Sequence, residues 1–404
     1  MDLFENISFE YLMPSASDSH WPCGWLDDGV SSSNNSTNFT TNACLEAAFS
    51  NFKVGERARS KLESSSLMKA GLNLFTYVTP VVIVIGLVGN GLSIAVFRTS
   101  TMRKMSASVY LAALAMTDIC TLLVYVLVEW LRRGLPYLAP GLSVGLFDLD
   151  GICQMLLYLA YITRFMSSWI IVTFTAERVS GVCYPLQTMH RKSKRILVCL
   201  LVTGALFVIY KPFLSGEYKI SERTLCTSNP DHIFLSFVLD TIYVTIIFFL
   251  PLAIITTLNL LIVRTLYLRN RHTNDLFAEN TKIRLEFTII LFAISFFYIT
   301  FHMPYFVLWC KLQVLNGPHL PSVPRDKHFW DYWISLLNIA RTVFYLNYCS
   351  NFFLYCITGT YFRNELRRLF CVRKQTHRVF KSHIRSSQFG SVYHSSNTHV
   401  TSYA

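Results

Sequence analysis

Seven stretches of the chain are apolar for long enough to cross a bilayer: residues 72–98, 107–131, 151–180, 194–214, 232–266, 283–311 and 329–357. A hydrocarbon core about 30 Å thick asks for roughly 20 apolar residues in a helix. The first stretch, GLNLFTYVTPVVIVIGLVGNGLSIAVF, carries no charge at all. The fourth is the least marked, because Lys211 and Pro212 crowd its far end. In lipid every backbone amide and carbonyl must find a partner inside the protein, and stretches of this length do so as α-helices. The pattern predicts an all-α membrane protein, a seven-transmembrane helix bundle over residues 71–358 with an amphipathic C-terminal helix. In that last element, TYFRNELRRLF, Phe362, Leu366, Leu369 and Phe370 share one face and Arg363, Arg367 and Arg368 the other. Such spacing predicts a short helix over 359–371 lying on a membrane surface, with lipid as its partner. Cys371 follows it, a candidate for palmitoylation or simply a free thiol. Residues 372–404 read as a flexible, Ser-rich cytoplasmic tail.

The polar ends supply an orientation. Residues 1–70 are rich in Ser and Asn and carry N-x-S/T sequons at Asn6, Asn34, Asn35 and Asn38, which predicts a glycosylated, disordered extracellular tail. One set of short loops collects Arg98, Arg103 and Lys104, then Arg191, Lys192, Lys194 and Arg195, then Arg269, Arg271 and Lys282. Basic loops face the cytoplasm, so the N-terminus lies outside, where the sequons need it, in a multi-pass plasma-membrane protein. The opening MDLFENISFEYLMPSASDSH lacks the basic and apolar regions of a cleavable signal peptide, so the first span is expected to direct its own insertion.

Composition narrows the class further. Only 15% of residues are charged against 52% hydrophobic, whereas soluble domains carry about 25% charged residues. The formal charge of +12 would suit nucleic acid, but it is spread over short loops and the tail, so no nucleic-acid partner is expected. Eleven cysteines in 404 residues do not make a disulfide scaffold. Cys23, Cys44 and Cys226 lie outside the spans and Cys153 at the very start of the third, and all four are candidates for oxidation.

Ionisable and amide groups inside spans are costly and point to function. Asp118 sits in the middle of the second stretch, and Glu129 lies eleven residues on, about three turns and roughly 16 Å away on the same face. Arg164 precedes Arg178 by fourteen residues, close to four turns, with Ser167 between them. Asn347, Asn351 and Tyr355 follow at i, i+4, i+8 in the seventh stretch. Stripes on three helices imply an interior polar column. Asp118, Ser167, Asn347 and Asn351 would suit a hydrated sodium ion, since one carboxylate is too little for Mg or Zn; a water-mediated network between helices is the alternative.

Here the chain resembles the rhodopsin-like (class A) G-protein-coupled receptors, over about residues 72–371. GLVGN, with Asn90, resembles the family's Gly-Asn motif, and LAALAMTD, ending at Asp118, its Leu-Ala-x-x-x-Asp motif. ERVSGVCYPL is similar to the Asp-Arg-Tyr motif with the Pro-Leu of the following loop, and NFFLY to Asn-Pro-x-x-Tyr. The resemblance implies a disulfide between Cys153 and Cys226. It implies that Glu177 holds Arg178 at rest and that the sixth helix swings outward at Pro304. Arg178, Pro185 and Leu186 would then engage a heterotrimeric G protein, with Asn351 and Tyr355 in the same switch, and arrestin and receptor kinases would act on the tail. Several residues depart from the pattern: Val179 replaces the tyrosine of the arginine motif, Phe352 the proline of the seventh helix, and His302 the tryptophan before Pro304. Arg284 stands where some members carry an acid, and the fourth helix lacks its usual tryptophan.

Toward the extracellular ends the spans hold Glu129, Arg164, Asp240, Lys311 and Arg341 with Tyr158, Tyr161, His302 and Tyr345. Mixed charges and aromatics suit a peptide, the expected extracellular ligand. For Glu129 and Arg341 the alternative is a simple pair across the bundle. Ala160 falls where aminergic receptors carry their aspartate and Tyr345 where opsins carry their lysine, which argues against a monoamine or light receptor. The seventh-helix text resembles invertebrate neuropeptide receptors of the FMRFamide and thyrotropin-releasing-hormone-like groups. A metal-dependent membrane enzyme would need several His or Asp at one depth, and His302 is the one histidine deep in a span. A transporter would show internal repeats, and none is visible. A receptor with a non-peptide ligand, or with none, stays open as the alternative.

Overall fold

The computed structural model describes residues 40–142, 144–183, 190–220, 223–272, 279–315 and 327–371. Helix α1 runs without a break over Thr40–Phe97. It begins inside the stretch expected to be a disordered tail. ACLEAAF and ERARSKLE are runs dominated by good helix formers, and a helix already nucleated by the first span extends through them at little cost. Cys44 falls within this extension; the four sequons and Cys23 lie outside the described residues.

Six further helical segments follow. Helix α2 spans Ser106–Leu138 and contains a π turn at Leu122–Val126. Helix α3 is Ile152–Cys183 and α4 is His190–Phe207. Helix α5 comprises Ile233–Val244, a π turn at Thr245–Phe249 and Leu250–His272. Helix α6 is Glu279–Leu315. Helix α7 is Lys327–Tyr345 and Asn347–Thr358, interrupted at Leu346, whose amide bonds Val343 O at 3.1 Å instead of continuing the ladder. A last helix, α8, covers 360–371. Five of these segments are long and apolar enough to cross a membrane on those criteria alone: Ser66–Phe97, Ser106–Leu138, Ile152–Gly181, Pro230–Leu268 and Glu286–Leu312. Helices α4 and α7 fall short, α4 by its basic start and α7 by its polar stripe, yet α4 packs on α3 and α7 on α1 and α6.

Proline leaves carbonyls that neighbouring helices satisfy. Pro80 supplies no N–H to the carbonyl four residues back, Thr76 O, and Trp130 Nε1 of α2 donates to it at 2.9 Å. Pro251 does the same to Ile247 O in α5, and Tyr298 Oη of α6 donates to that carbonyl at 3.0 Å. The side chain that repairs each break also ties two helices together. Helices α1 and α7 meet closely: a Cβ at Gly89 would stand 2.9 Å from Phe352 Cβ, so the bare backbone is what admits the phenyl ring.

Strands β1 (Ser215–Ile220) and β2 (Arg223–Ser228) form an antiparallel hairpin between α4 and α5. Cys153 at the start of α3 and Cys226 in β2 form a disulfide with Cα atoms 5.7 Å apart, anchoring the hairpin over one end of the bundle. At this hairpin end, outside the spans, burial pushes the Asp148 carboxyl above its usual range, opposed by Arg132 Nε 3.1 Å away.

The amphipathic face of α8 is only partly as expected. Phe362 is buried against Phe97 and Tyr355, with ring centroids at 5.3 and 5.4 Å, and Leu366 and Leu369 are half-buried. Phe370 is exposed. Arg363 Nη1 takes the carbonyls of Cys356 and Ile357 at 3.0 and 2.9 Å, satisfying the open end of α7.

Candidate functional site

A cavity of about 40 Å³ lies between α3, α5, α6 and α7. Arg164, Ser167 and Ser168 of α3 line it, with Phe248 of α5, His302, Tyr305, Phe306 and Trp309 of α6, and Phe344 and Tyr348 of α7. The Arg164 guanidinium lies over the rings of Tyr125 at 4.4 Å and Tyr161 at 4.7 Å, and its Nε donates to Ala160 O at 3.1 Å. His302 Nδ1 is 2.8 Å from Tyr298 O, its ring wedged between Tyr298 and Phe344.

Of the residues expected to meet a ligand, Arg164 and His302 reach this cavity directly. The others are engaged around it. Asp240 accepts from Lys211 Nζ at 3.0 Å, Tyr210 Oη at 3.0 Å and Tyr161 Oη at 3.1 Å. Lys211 is fully buried in that contact. Glu129 Oε2 lies 3.1 Å from Arg133 Nε and 4.0 Å from Arg341 Nη1, so Arg133 is the nearer of the two cations. Tyr345 packs edge-on against Tyr125 at 5.7 Å. Two expectations are corrected. Tyr158 turns toward α4, donating to Ala205 O at 3.0 Å. Lys311 is exposed, its ammonium over the Trp333 ring at 5.6 Å, because a long cationic side chain near a helix end reaches outward rather than into an apolar cavity.

Below the cavity the polar column is tied up by hydrogen bonds. Asn351 Nδ2 donates to Asp118 Oδ2 at 2.7 Å and Ser167 Oγ to Oδ1 at 3.2 Å. Asn347 is buried one turn before Asn351. Asn90 Nδ2 donates to Tyr348 O at 2.7 Å, across from α1 to the break in α7. The π turn in α2 adds a residue between Asp118 and Glu129, so their phase slips by roughly 100° from the straight-helix expectation. Asp118 therefore meets α3 and α7, and Glu129 meets Arg133 and Arg341.

At the end opposite the hairpin, Arg178 Nη2 is 3.0 Å from Glu177 Oε1. Ser106 Oγ, at the start of α2, hydrogen-bonds the same carboxylate oxygen and lies 3.4 Å from Arg178 Nη2. Phe174 and Phe287 flank the guanidinium at 5.4 and 5.9 Å. Both groups are largely buried, so solvent screens the pair poorly. Tyr355 is buried against Phe97 at 5.2 Å. Pro304 sits inside α6. Pro185 and Leu186 lie outside the described residues.

Several contributors were not singled out from sequence. Tyr125 and Tyr243 flank Arg164, and the helical spacing from Asp118 and Asp240 could have pointed to them. Lys211 was legible only as an obstacle to a clean span. Nothing in the sequence marks Ser106, or Glu286, whose Oε1 accepts from Tyr361 N of α8 at 2.7 Å. Among the described residues no group of three or more His, Cys, Asp or Glu is placed to hold a metal.

The "7 transmembrane receptor (rhodopsin family)" model matches residues 89–355. A human purinoceptor is 26% identical over 319 residues, covering 75% of this chain and 79% of its own length. Mouse cysteinyl leukotriene receptor 2 is 25% identical over 294 residues, covering 70% of this chain and 87% of its own. The mouse neuropeptide S receptor is 26% identical over 198 residues, 47% of this chain and 50% of its own. With two thirds of its length matched and the polar column, disulfide and arginine pair arranged as described, the chain belongs to the rhodopsin family of seven-transmembrane receptors.

Proposed function

We propose that this receptor, which as a rhodopsin-family member takes an extracellular ligand and signals through a heterotrimeric G protein at the plasma membrane, is activated by a neuropeptide. The hairpin end faces outward in this reading, supported by the Lys/Arg bias of the opposite loops and the sequons of the N-terminal segment. In this reading one end of the peptide enters between α3, α5, α6 and α7, the side chains there parting to admit it. Arg164 and His302 meet it there, while Glu129 and Arg341, with Tyr345 behind them, form the wall that the next residues pass. The alternative, a non-peptide agonist, draws on relatives whose names speak of purines and leukotrienes.

The observation that carries the signalling half is the closed Glu177–Arg178–Ser106 contact. A nearly buried arginine whose contacts include a neighbouring acid and a hydroxyl is a two-state element that modest energies can bias. Release of Glu177 frees Arg178 toward the Gα subunit, with Leu186 beside it, as α6 moves at Pro304. Asn351 and Tyr355 lie on the element that must shift with it. In the middle of the bundle the donor set suits a sodium ion. Asp118, Ser167, Asn347 and Asn351 are oxygen-bearing, and each Asp118 oxygen keeps a second lone pair after the bonds it accepts. A bound sodium ion would supply a positive charge that holds Asp118 ionised.

Arg178→Ala tests the gate: G-protein activation is lost while agonist binding is kept. Full signalling by that variant overturns the role. The peptide reading is tested by screening cells that express the full chain against amidated neuropeptides, with calcium and cyclic AMP read together. A potent nucleotide or lipid agonist with no active peptide sinks it.

A further inference from the structure

The start of α4 joins a dense positive charge to an apolar groove. From Arg178 to Gly216 the chain has no Asp or Glu, and RKSKR places Arg191, Lys192, Lys194 and Arg195 within five residues. Lys194 and Arg195 are exposed. Arg195, Cys199 and Thr203, at i, i+4 and i+8, share one face of the helix, with Ile196 and Leu200 beside them. These five residues line an open groove of about 430 Å³, against about 40 Å³ for the cavity inside the bundle. The groove, unlike the cavity, has room for more than a few waters. Next to it Val198, Leu201, Val202 and Leu206 are exposed, so the apolar face continues toward the hairpin end. Leu206 lies eleven residues beyond Arg195, roughly 16 Å along the helix, about the depth of one leaflet of a 30 Å hydrocarbon core.

We propose that an anionic phospholipid of the inner leaflet docks here, its headgroup phosphate on Lys194 and Arg195 and one acyl chain in the groove along α4. The proposal takes from the receptor reading above the placing of the start of α4 at the cytoplasmic face, and nothing about the agonist. Charge selects the headgroup: a cluster of Lys and Arg just cytoplasmic of a span attracts an anionic lipid and gains little from a zwitterionic one. The aliphatic stems of Lys194 and Arg195 lie along apolar surface while their heads reach headgroup level. A second copy of the chain fits this face less well. Two copies inserted in the same sense would bring RKSKR against RKSKR at one depth, like charge on like.

Purified full-length receptor in detergent is titrated with phosphatidylinositol 4,5-bisphosphate and, separately, with phosphatidylcholine of the same acyl chains. Bound lipid is counted by native mass spectrometry, and thermal unfolding follows the stabilisation that binding brings by mass action. The anionic lipid should bind about tenfold or more tighter than the zwitterionic one, and Lys194→Gln/Arg195→Gln should remove about tenfold of its affinity. Arg367→Gln/Arg368→Gln on α8, the same change of charge, should leave the affinity near the parent value. Thr203→Trp fills the groove without altering charge and should weaken binding about threefold or more, the worth of about one buried CH₂. Equal binding of the two lipids overturns the proposal, as does parent-like affinity in Lys194→Gln/Arg195→Gln or an equal loss in the α8 pair. Parent-like affinity in Thr203→Trp overturns it too, since the lipid would then sit on the cations alone. So does a disulfide-linked dimer that forms with lipid present and disappears in Cys199→Ser, because a second copy would then hold the face. Melting without lipid shows that each variant keeps its fold; should the double variant melt early, Lys194→Gln and Arg195→Gln singly must each show part of the loss. An empty peptide screen bears on the agonist reading and leaves this one standing.

Discussion

Trp130→Phe should destabilise the receptor through a carbonyl on another helix. Pro80 cannot donate to Thr76 O, and Trp130 Nε1 fills that place from α2 at 2.9 Å. Thr76 is 1% exposed, so water has almost no access to the group left behind. A buried carbonyl stripped of its donor costs about 1–3 kcal/mol. The indole also fits a space made for it: a Cβ at Gly134 would stand 2.6 Å from Trp130 Cδ1, so the position one turn on is kept bare. Phenylalanine would give up part of that packing as well. A double-mutant cycle with Pro80→Ala separates the two losses. Alanine returns an amide at position 80, so α1 can satisfy Thr76 O by itself. The hydrogen-bond share of the Trp130→Phe loss should then vanish, leaving the packing share. The expected coupling is about 1 kcal/mol or more, above the roughly 0.3–0.5 kcal/mol scatter of independent sites. Thermal unfolding of the four purified full-length proteins measures it. If Trp130→Phe costs as much in the Pro80→Ala background as in the parent, the carbonyl is not what Trp130 serves.

Three other outcomes follow from the same geometry. Lys211→Met leaves Asp240 charged and buried with two tyrosines, and should cost about 3–5 kcal/mol, most of it recovered in Lys211→Met/Asp240→Leu; a single variant as stable as the parent would show the pair to be unimportant. Gly89→Ala drives a methyl into Phe352 and should cost about 1–3 kcal/mol, whereas Gly91→Ala, with nothing within 4 Å, should be neutral or slightly stabilising; the melting order reversed would contradict the close α1–α7 approach. Glu286→Leu removes the carboxylate that joins α6 to the first turn of α8, a charged hydrogen bond worth about 1.5–3 kcal/mol, so signalling without agonist should rise roughly tenfold or more; unchanged basal activity at equal surface expression would count against a restraining role.

Much of the architecture was legible before any coordinates. Apolar length and the demand that lipid-buried backbone satisfy itself dictate helices, and the order of GLVGN, LAALAMTD, ERVSGVCYPL and NFFLY places them in the rhodopsin family. The Cys153–Cys226 disulfide, the Asp118–Ser167–Asn351 cluster and the Glu177–Arg178 contact all involve residues the text had already singled out. Pairing was harder to read. Asp240 read as available to a ligand until Lys211, a residue that only blurred the edge of the fourth span, was found against it. Tyr158 and Lys311 had the right chemistry but point elsewhere, since a helical position names a residue's depth more reliably than its direction.

The sequence by itself determined what is local or additive: which segments cross the membrane, which ionisable groups are buried with them, and which family pattern they follow. Only the tertiary structure decided which of those groups meet. Two π turns and the break at Leu346 each rotate everything beyond them, and one added residue in a helix shifts direction by about 100°, enough to change a neighbour. The partners of Pro80 and Pro251 come from other helices for a related reason. A proline announces the missing amide in the sequence, but the donor that replaces it is chosen by packing.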